Sequence, residues 1–324
     1  MNWSFSSAKT FERCPRQWYF RQVVAHHAAK DPFRKEAYLL TKVDSVWSWR
    51  GKVVDDLITE QVVPGLAEGY LPSLQVLTAN ARQRFDAQLE FAATRSSREA
   101  EIRPSQHPDF LALHETQDGA TVDKDGLEQA WSDIENALAN LLAMGDLLER
   151  LASAAVLFPQ RALNYRRVLS DGEPLTVRAV PDLIAFFSDA PPLILDWKVH
   201  AYARTIFADQ LAGYALALVA AAGQWGLPRL NGLAPSDIDL LEVQLLVDEQ
   251  RSHTLTPKEF QELRDYQLES GERMRRLVAG RAKSDRNPYT VVTTIDLSRC
   301  ENCVFQSLCW DGGLSPKFEE PFHA

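Results

Sequence analysis

The sequence predicts an α/β protein: a mixed sheet flanked by helices, preceded by a helical N-terminal half. Three observations carry that expectation. Apolar residues recur at helical spacing through most of the first 160 positions. From Arg161 onward, short runs rich in Val, Ile, Leu and Phe and longer helical stretches follow in the order strand, strand, strand, helix, strand, helix. Between the first two of those strands, Asp171-Gly172-Glu173-Pro174 is a hairpin-type turn.

Taken in order, Ser6-Ser7 stands where it can cap a helix over Lys9–Val24, with Phe11, Trp18, Tyr19 and Val23 on its apolar side. A second helix is expected over Val43–Val62, ended by Pro64-Gly65, and a third over Leu74–Ala93. Residues 96–123 are polar and broken by Pro104 and Pro108, so a long loop is expected. A strongly periodic helix follows over Leu127–Ala155. Ala162–Leu169 and Leu175–Phe187 read as strands, Pro191-Pro192 punctuates, and Leu193–Val199 is a third, largely apolar strand. Arg204–Trp225 reads as a helix, Asp239–Val247 as a strand, and Pro257–Ala279 as a helix with Pro in its first turn. This divides the 324 residues into a helical region (1–160), an α/β core (161–285) and a C-terminal cysteine segment (286–324).

The composition, 45% hydrophobic and 24% charged, excludes a disordered or fibrous chain. The apolar stretch Leu211–Gly223 is too short to cross a bilayer, so no membrane span is expected. Met1 to Ser7 show neither a basic nor an apolar leader region, which points to a cytoplasmic protein. A formal charge of −9 leans away from nucleic acid, whose phosphates call for Lys and Arg. The distribution is uneven, though. Residues 1–52 carry ten Lys or Arg against four acids, whereas Asp86–Gln160 carries fourteen acids against five bases. The sum therefore does not decide the partner.

Chemistry concentrates at Val180-Pro181-Asp182 and, fourteen residues later, Asp196-Trp197-Lys198. At strand spacing Asp196 and Lys198 project to one face. If the strands bearing Asp182 and Asp196 are neighbours, two carboxylates and an ammonium converge. Metal-assisted phosphodiester hydrolysis needs such a set: carboxylates hold Mg²⁺ or Mn²⁺, and a lysine orients water or offsets developing charge. The plainer reading makes the acids strand-end turn residues and the lysine a solvated charge, and on these residues alone both stand. Gln210 and Tyr214, four apart on the following helix, share a face that can turn toward the same point. Gly51 lies upstream in Arg50-Gly51-Lys52-Val53-Val54-Asp55-Asp56, either for close backbone approach or at a helix start. Asp55 and Asp56 read as a further metal ligand or as surface acids.

The four cysteines are Cys14 near one end and Cys300, Cys303 and Cys309 near the other. This spacing in a chain without a leader favours metal over disulfides. Zinc sites usually draw on two close pairs. Three plus one suits an iron–sulfur cluster stapling the two ends together.

With these residues in place, the sequence resembles the RecB-type branch of the PD-(D/E)XK nuclease superfamily, in particular its iron–sulfur members. These include CRISPR-associated adaptation nucleases and the nuclease domains of AddAB-type helicase–nucleases. Ser4 to Phe20, with Cys14-Pro15, looks like the family's opening helix; Gly51 to Asp55 takes the place of its G-x-x-x-H motif. Pro181-Asp182 with Asp196-Trp197-Lys198, Gln210-x₃-Tyr214, and Cys300-x₂-Cys303-x₅-Cys309 match the remaining motifs in order. The resemblance implies a restriction-endonuclease-like fold and a metal-dependent DNA nuclease, with DNA and a helicase or other DNA-processing protein as partners. It further implies Mg²⁺ or Mn²⁺ held by Asp182, Asp196, Asp55 and the Trp197 carbonyl, and a [4Fe–4S] cluster on Cys14, Cys300, Cys303 and Cys309. Lys198 would orient the attacking water, and Gln210 and Tyr214 would position Lys198 or the DNA backbone. Three departures stand out: Asp55 replaces the family's histidine, Ala179 stands where a glycine often precedes the first aspartate, and Asn164-Tyr165 stand where some relatives carry a glutamate. Asp55 would favour a harder, oxygen-seeking cation or mark a loss of activity. The alternative is a catalytically weak or inactive iron–sulfur module that binds DNA within a larger complex. The N-terminal bases, interleaved with Trp18, Tyr19, Trp47 and Trp49, suit a single-strand channel, although core packing is the stronger expectation for several of these aromatics. No Gly-x₄-Gly-Lys-Ser/Thr loop is present, so unwinding would fall to a partner.

Overall fold

The computed structural model describes residues 1–94, 102–117, 122–199, 207–224, 226–230, 232–279 and 286–310. The chain opens with β1 (Asn2–Trp3) and α1 (Phe5–Arg13), whose cap is Ser4 rather than Ser6-Ser7; the Ser4 hydroxyl accepts from the Ser7 amide at 3.2 Å. The single helix expected over Lys9–Val24 is broken at Cys14, which is extended at φ −159° and ψ 106°. Pro15 is the cause, because its ring disfavours the helical conformation in the residue before it. Cys14 instead caps α2 (Pro15–Tyr19), and a wider π-type turn over Phe20–Val24 follows.

Next come α3 (Pro32–Leu40), β2 (Val43–Asp44) and α4 (Val46–Leu57), so the helix expected from Val43 starts three residues late, behind a reciprocal Ser45–Ser48 cap. A π-type turn (Ile58–Val62) leads into α5 (Val63–Glu68), and α6 covers Leu74–Ala93 as expected. Within the predicted long loop, the described residues include β3 (Ala112–Leu113), paired in parallel with β2, and α7 (His114–Gln117). The long helix expected from Leu127 is two, α8 (Lys124–Ala143) and α9 (Gly145–Ala152), parted at Met144.

The strands begin earlier than Arg161. They are β4 (Val156–Pro159), β5 (Leu163–Val168), β6 (Pro174–Ala179), β7 (Leu183–Phe186) and β8 (Leu193–Lys198). Then follow α10 (Ala208–Ala221), β9 (Asp239–Gln244), β10 (Glu249–His253), α11 (Pro257–Val278) and α12 (Gln306–Trp310). The expected start of α10 at Arg204 lies outside the described residues.

The strand anticipated over Leu175–Phe187 is in fact β6 and β7, and they belong to different sheets. Val180-Pro181-Asp182 separates them, because Pro181 has no N–H to give a ladder. The larger sheet runs β10-β9-β8-β7-β4, with β8 and β9 parallel and the other neighbours antiparallel. The smaller runs β1-β6-β5. Both faces of β8 and β9 are covered, which explains the apolar runs Leu193-Ile194-Leu195 and Leu240-Leu241. One face packs Leu195, Trp197 and Val243 against Trp49, Leu57 and Leu138 of the helical layer. The other packs Ile194 and Leu240 against Leu211 and Ala215 of α10 and Phe260 of α11. A third cluster, including Trp18, Phe20, Val177, Met274 and Phe305, joins the N-terminal helices to the C-terminal segment.

Candidate active site

Alternation along β8 sets the site. Leu195 and Trp197 enter the helical layer, and Asp196 points the other way, where Gln210 Nε2 of α10 donates to its Oδ1 at 3.3 Å. Gln210 Nε2 also lies 2.5 Å from the Tyr214 hydroxyl, so the i, i+4 pair does face the acids. Lys198 forms an ion pair with Asp196. Asp182 stands in the break before β7, where its Oδ2 accepts from the Trp197 backbone N–H at 2.8 Å. Asp182 and Asp196 act on each other's proton affinity. Asp55 of α4 faces the same point across the sheet end, near enough that its charge acts on Asp182 and that of Asp196 acts on it. The sequence-predicted acids, lysine, glutamine and tyrosine are thus brought together.

Their electrostatics follow from crowding out of water. Burial first, then the Asp196 and Asp55 charges, lift the Asp182 carboxyl to about 8. Burial first, then Asp56 and Asp196, lift Asp55 to about 6. Burial also raises Asp196, against the pull of Lys198, and burial raises the Tyr214 hydroxyl. Asp56 turns aside to Arg84, at 3.2 Å. A Cβ on Gly51 would meet nothing within 4 Å, and α4 starts five residues before it, so neither close approach nor a helix start accounts for that glycine. Arg50 beside it is buried, pairs with Asp133 and donates to the Val199 carbonyl at 2.5 Å, tying α4 to the chain just past β8.

Three contributors escape the motifs. Gln160 has a left-handed backbone, φ 44°, unusual for a side-chain-bearing residue. Its amide donates to the Asp182 carbonyl at 2.9 Å and its Nε2 to Asp55 Oδ2 at 2.5 Å, so it bridges two of the acids. Glu242 and Gln244 of β9 are fully buried and stand in register beside Asp196 and Lys198. Gln160 leaves no signal in sequence. The other two leave one: Leu241-Glu242-Val243-Gln244-Leu245 alternates polar and apolar inside a strand otherwise apolar on both faces.

At the opposite end, Cys14, Cys300, Cys303 and Cys309, all free thiols, line one cavity with Arg16, Gln17 and Phe305 among its walls. Arg16 donates to Cys309 Sγ and Gln17 Nε2 to Cys303 Sγ, each at 3.6 Å. The basic N-terminal segment meets the C-terminal segment here: Arg16 donates to the Val291 carbonyl at 2.8 Å and Arg286 to the Val23 carbonyl at 2.9 Å. Two adjoining hollows share Tyr38, Thr41 and Lys42. One continues past Arg21 and His26, the other past Lys52 to Asp56, next to Asp55. Of the aromatics interleaved with the N-terminal bases, Trp18, Tyr19 and Trp49 are core, as expected for several of them, and Trp47 is 49% exposed.

Residues 2–310 match the PD-(D/E)XK nuclease superfamily. The chain belongs to that superfamily. Among solved structures, it is similar to a Eubacterium rectale protein named as a candidate exonuclease, at 11% identity and TM-score 0.32, covering 92% of this chain and 97% of that one. It is also similar to the protein SSO0001, at 10% identity and TM-score 0.31, covering 69% and 94%. No curated protein matches the chain. No helix among the described residues is long and apolar enough to cross a membrane.

PD-(D/E)XK nucleases generally use a divalent metal. Among the described residues, no three His, Cys, Asp or Glu side chains are gathered into a ready cage for an ion. The donor set nevertheless fits one. Asp55 Oδ1 is buried with no hydrogen-bond partner, and the acids raise one another's proton affinity. An all-oxygen set is what a hard cation prefers.

Proposed function

We propose that the protein is a metal-dependent deoxyribonuclease of the RecB-type, iron–sulfur branch, acting on single strands or DNA ends in repair, recombination or anti-phage defence. The observation that carries this reading is the convergence of Asp182, Asp196 and Lys198 at one end of a sheet buried on both faces. Asp55, Asp182, Asp196 and the Trp197 carbonyl would hold Mg²⁺ or Mn²⁺, which would supply Lewis-acid polarisation of the scissile phosphate. Lys198 orients the attacking water. Its oxygen forms the new P–O bond as the bridging P–O bond breaks, and the leaving oxygen takes up a proton. Gln210 restrains Asp196 and, through Tyr214, lines the approach of the DNA backbone. The hollows lined by Arg21, Lys42 and Lys52 offer basic side chains to a strand of phosphates. To test the reading, labelled single-stranded DNA is incubated with Mn²⁺ and either wild type or Lys198→Ala. Cleavage by the wild type alone is expected; equal cleavage by both, or by neither, overturns it.

A [4Fe–4S] cluster on the four cysteines completes the proposal, tying residues 286–310 to the N-terminal helices. Four thiols on one cavity with N–H donors aimed at sulfur support it. Anaerobically purified protein is expected to be brown; a colourless protein carrying zinc rejects the cluster. A second reading, a DNA-binding module with weak or no catalysis, draws on Gln160, whose side chain occupies one Asp55 oxygen. Tight DNA binding without metal-dependent cleavage favours it.

A further inference from the structure

Two rows of polar side chains cross the larger sheet on its α10 face. Asp196, Glu242 and Arg251 hold paired positions on β8, β9 and β10; Lys198, Gln244 and Glu249 hold the next pair on the same face. Glu242 and Gln244 are buried completely. Glu242 accepts from Gln244 Nε2 at 2.5 Å, lies 3.0 Å from His253 Nε2 and 3.6 Å from Arg251 Nη1, and so has its charge balanced from β10. Only the NH₂ end of a carboxamide donates to a carboxylate, so Glu242 fixes which way Gln244 faces. The consequence is a buried acceptor, Gln244 Oε1, with no hydrogen-bond partner. Buried polar groups are rarely left so without a purpose.

We propose that Gln244 is a positioning residue for Lys198. As described, the Lys198 ammonium is paired with Asp196. When Asp196 turns its carboxylate to a divalent cation, that oxygen becomes a poorer acceptor. Lys198 carries three N–H donors on a flexible stem and needs another partner on its own face. Gln244 Oε1, beside it in register, takes one N–H, which leaves another to orient the attacking water. Glu242 acts at one remove by holding the carboxamide, and Arg251 and His253 allow a second buried carboxylate to stand next to Asp196. The inference rests on the role proposed above for Lys198.

The test uses the full chain labelled with ¹⁵N, the Lys198 ammonium signal being assigned by its loss in Lys198→Arg. In the wild type, Mg²⁺ without DNA is expected to shift that signal and keep it protected from solvent exchange. In Gln244→Met, which keeps the shape and removes the acceptor, Mg²⁺ is expected to bleach it. On single-stranded DNA with Mn²⁺, kcat should fall roughly 10- to 100-fold with KM unchanged. Gln244→Leu repeats both measurements should the Met variant fail to fold. An unchanged ammonium signal, or a kcat within about twofold of wild type, overturns the assignment. Should the wild type cleave no DNA, the nuclease reading falls, and the ammonium signal alone decides the Gln244 contact.

Discussion

The two polar clusters of this protein are built in opposite ways. The carboxylates sit on the most rigid part of the fold: Asp196 in a strand hydrogen-bonded on both sides, Asp182 pinned by the Trp197 N–H, Asp55 on a helix anchored by buried Arg50. The thiols sit on short elements at the two chain ends, Cys14 in a helix break and Cys300, Cys303 and Cys309 around a 3₁₀ turn and α12. Those ends are held by packing, including Phe20 stacked on Phe305 at 5.1 Å between ring centres, and by the Arg16 and Arg286 hydrogen bonds. Protons are held strongly in both places, at the acids and, mainly by burial, at Cys303, lifted to about 11, and at Cys300, also raised. Metal binding would replace protons in both. The carboxylates are held by hydrogen bonds of the fold itself, whereas the thiols stand on shorter elements.

The sharpest way to break that contrast is at the carboxylates. Asp196→Asn and Lys198→Ala are each expected to lower metal-dependent cleavage by about 10³-fold or more, and Asp196→Asn to leave the melting temperature at or above wild type. The stability expectation follows because Asp196 is a buried acid whose charge the fold opposes. Loss of folding in Asp196→Asn would mean that the cluster holds the sheet together rather than merely occupying it.

Next in size is the thiol end. Cys14→Ser is expected to abolish the broad visible absorbance of the cluster and to expose residues 286–310 to limited proteolysis. Core unfolding, followed by near-ultraviolet circular dichroism, should change far less. A variant in which ends and core melt together would show the two regions to be one cooperative unit.

Much of this contrast was legible in sequence, and the gaps have physical causes. Asp182, Asp196 and Lys198 were found because a charge inside an apolar strand is conspicuous; the cysteines, because three lie within ten residues. β1, β2 and β3 are two residues long and have no period to read. The break at Cys14 was written in Pro15, and the parting of β6 from β7 in Pro181, yet in both cases the apolar run on either side outweighed the proline. Gln160 was invisible because its role comes from a bond to Asp55, 105 residues away. Glu242 and Gln244 were passed over because their strand was read for its apolar members alone.

A third, smaller effect concerns pH. The folded-state values of Asp182 (about 8) and Asp55 (about 6) lie above the ordinary 3.8. A raised carboxyl binds its proton more tightly folded than unfolded, so its contribution is fully present below about 4 and is lost as pH rises through 6 and 8. Metal-free protein should therefore lose melting temperature between pH 5 and pH 8 relative to Asp182→Asn, which lacks one of these protons. Because a cation displaces those protons, the stabilisation by Mg²⁺ should grow over the same window. Parallel pH profiles for wild type and Asp182→Asn would show that the acids do not share their environment as described.

The smallest effect is expected at Gln160, where strain and function oppose each other. Its φ of 44° costs a residue with a Cβ roughly 1–2 kcal/mol, which glycine would not pay. Gln160→Gly relieves that strain but gives up the bond to Asp55, leaving both oxygens of a largely buried carboxyl without a partner. Gln160→Asn keeps a carboxamide in a residue that tolerates the left-handed region, on a side chain one carbon too short to reach as far. If Gln160 holds Asp55 toward the other acids, calorimetry should show weaker Mg²⁺ binding in both variants, by a few-fold, with the glycine variant equal to wild type or slightly higher in melting temperature. If instead Gln160 competes with the cation for Asp55 Oδ2, both variants should bind Mg²⁺ more tightly. The sign of that change decides whether the carboxylate end is as self-sufficient as its hydrogen bonds make it, or whether it too relies on the ion to complete it.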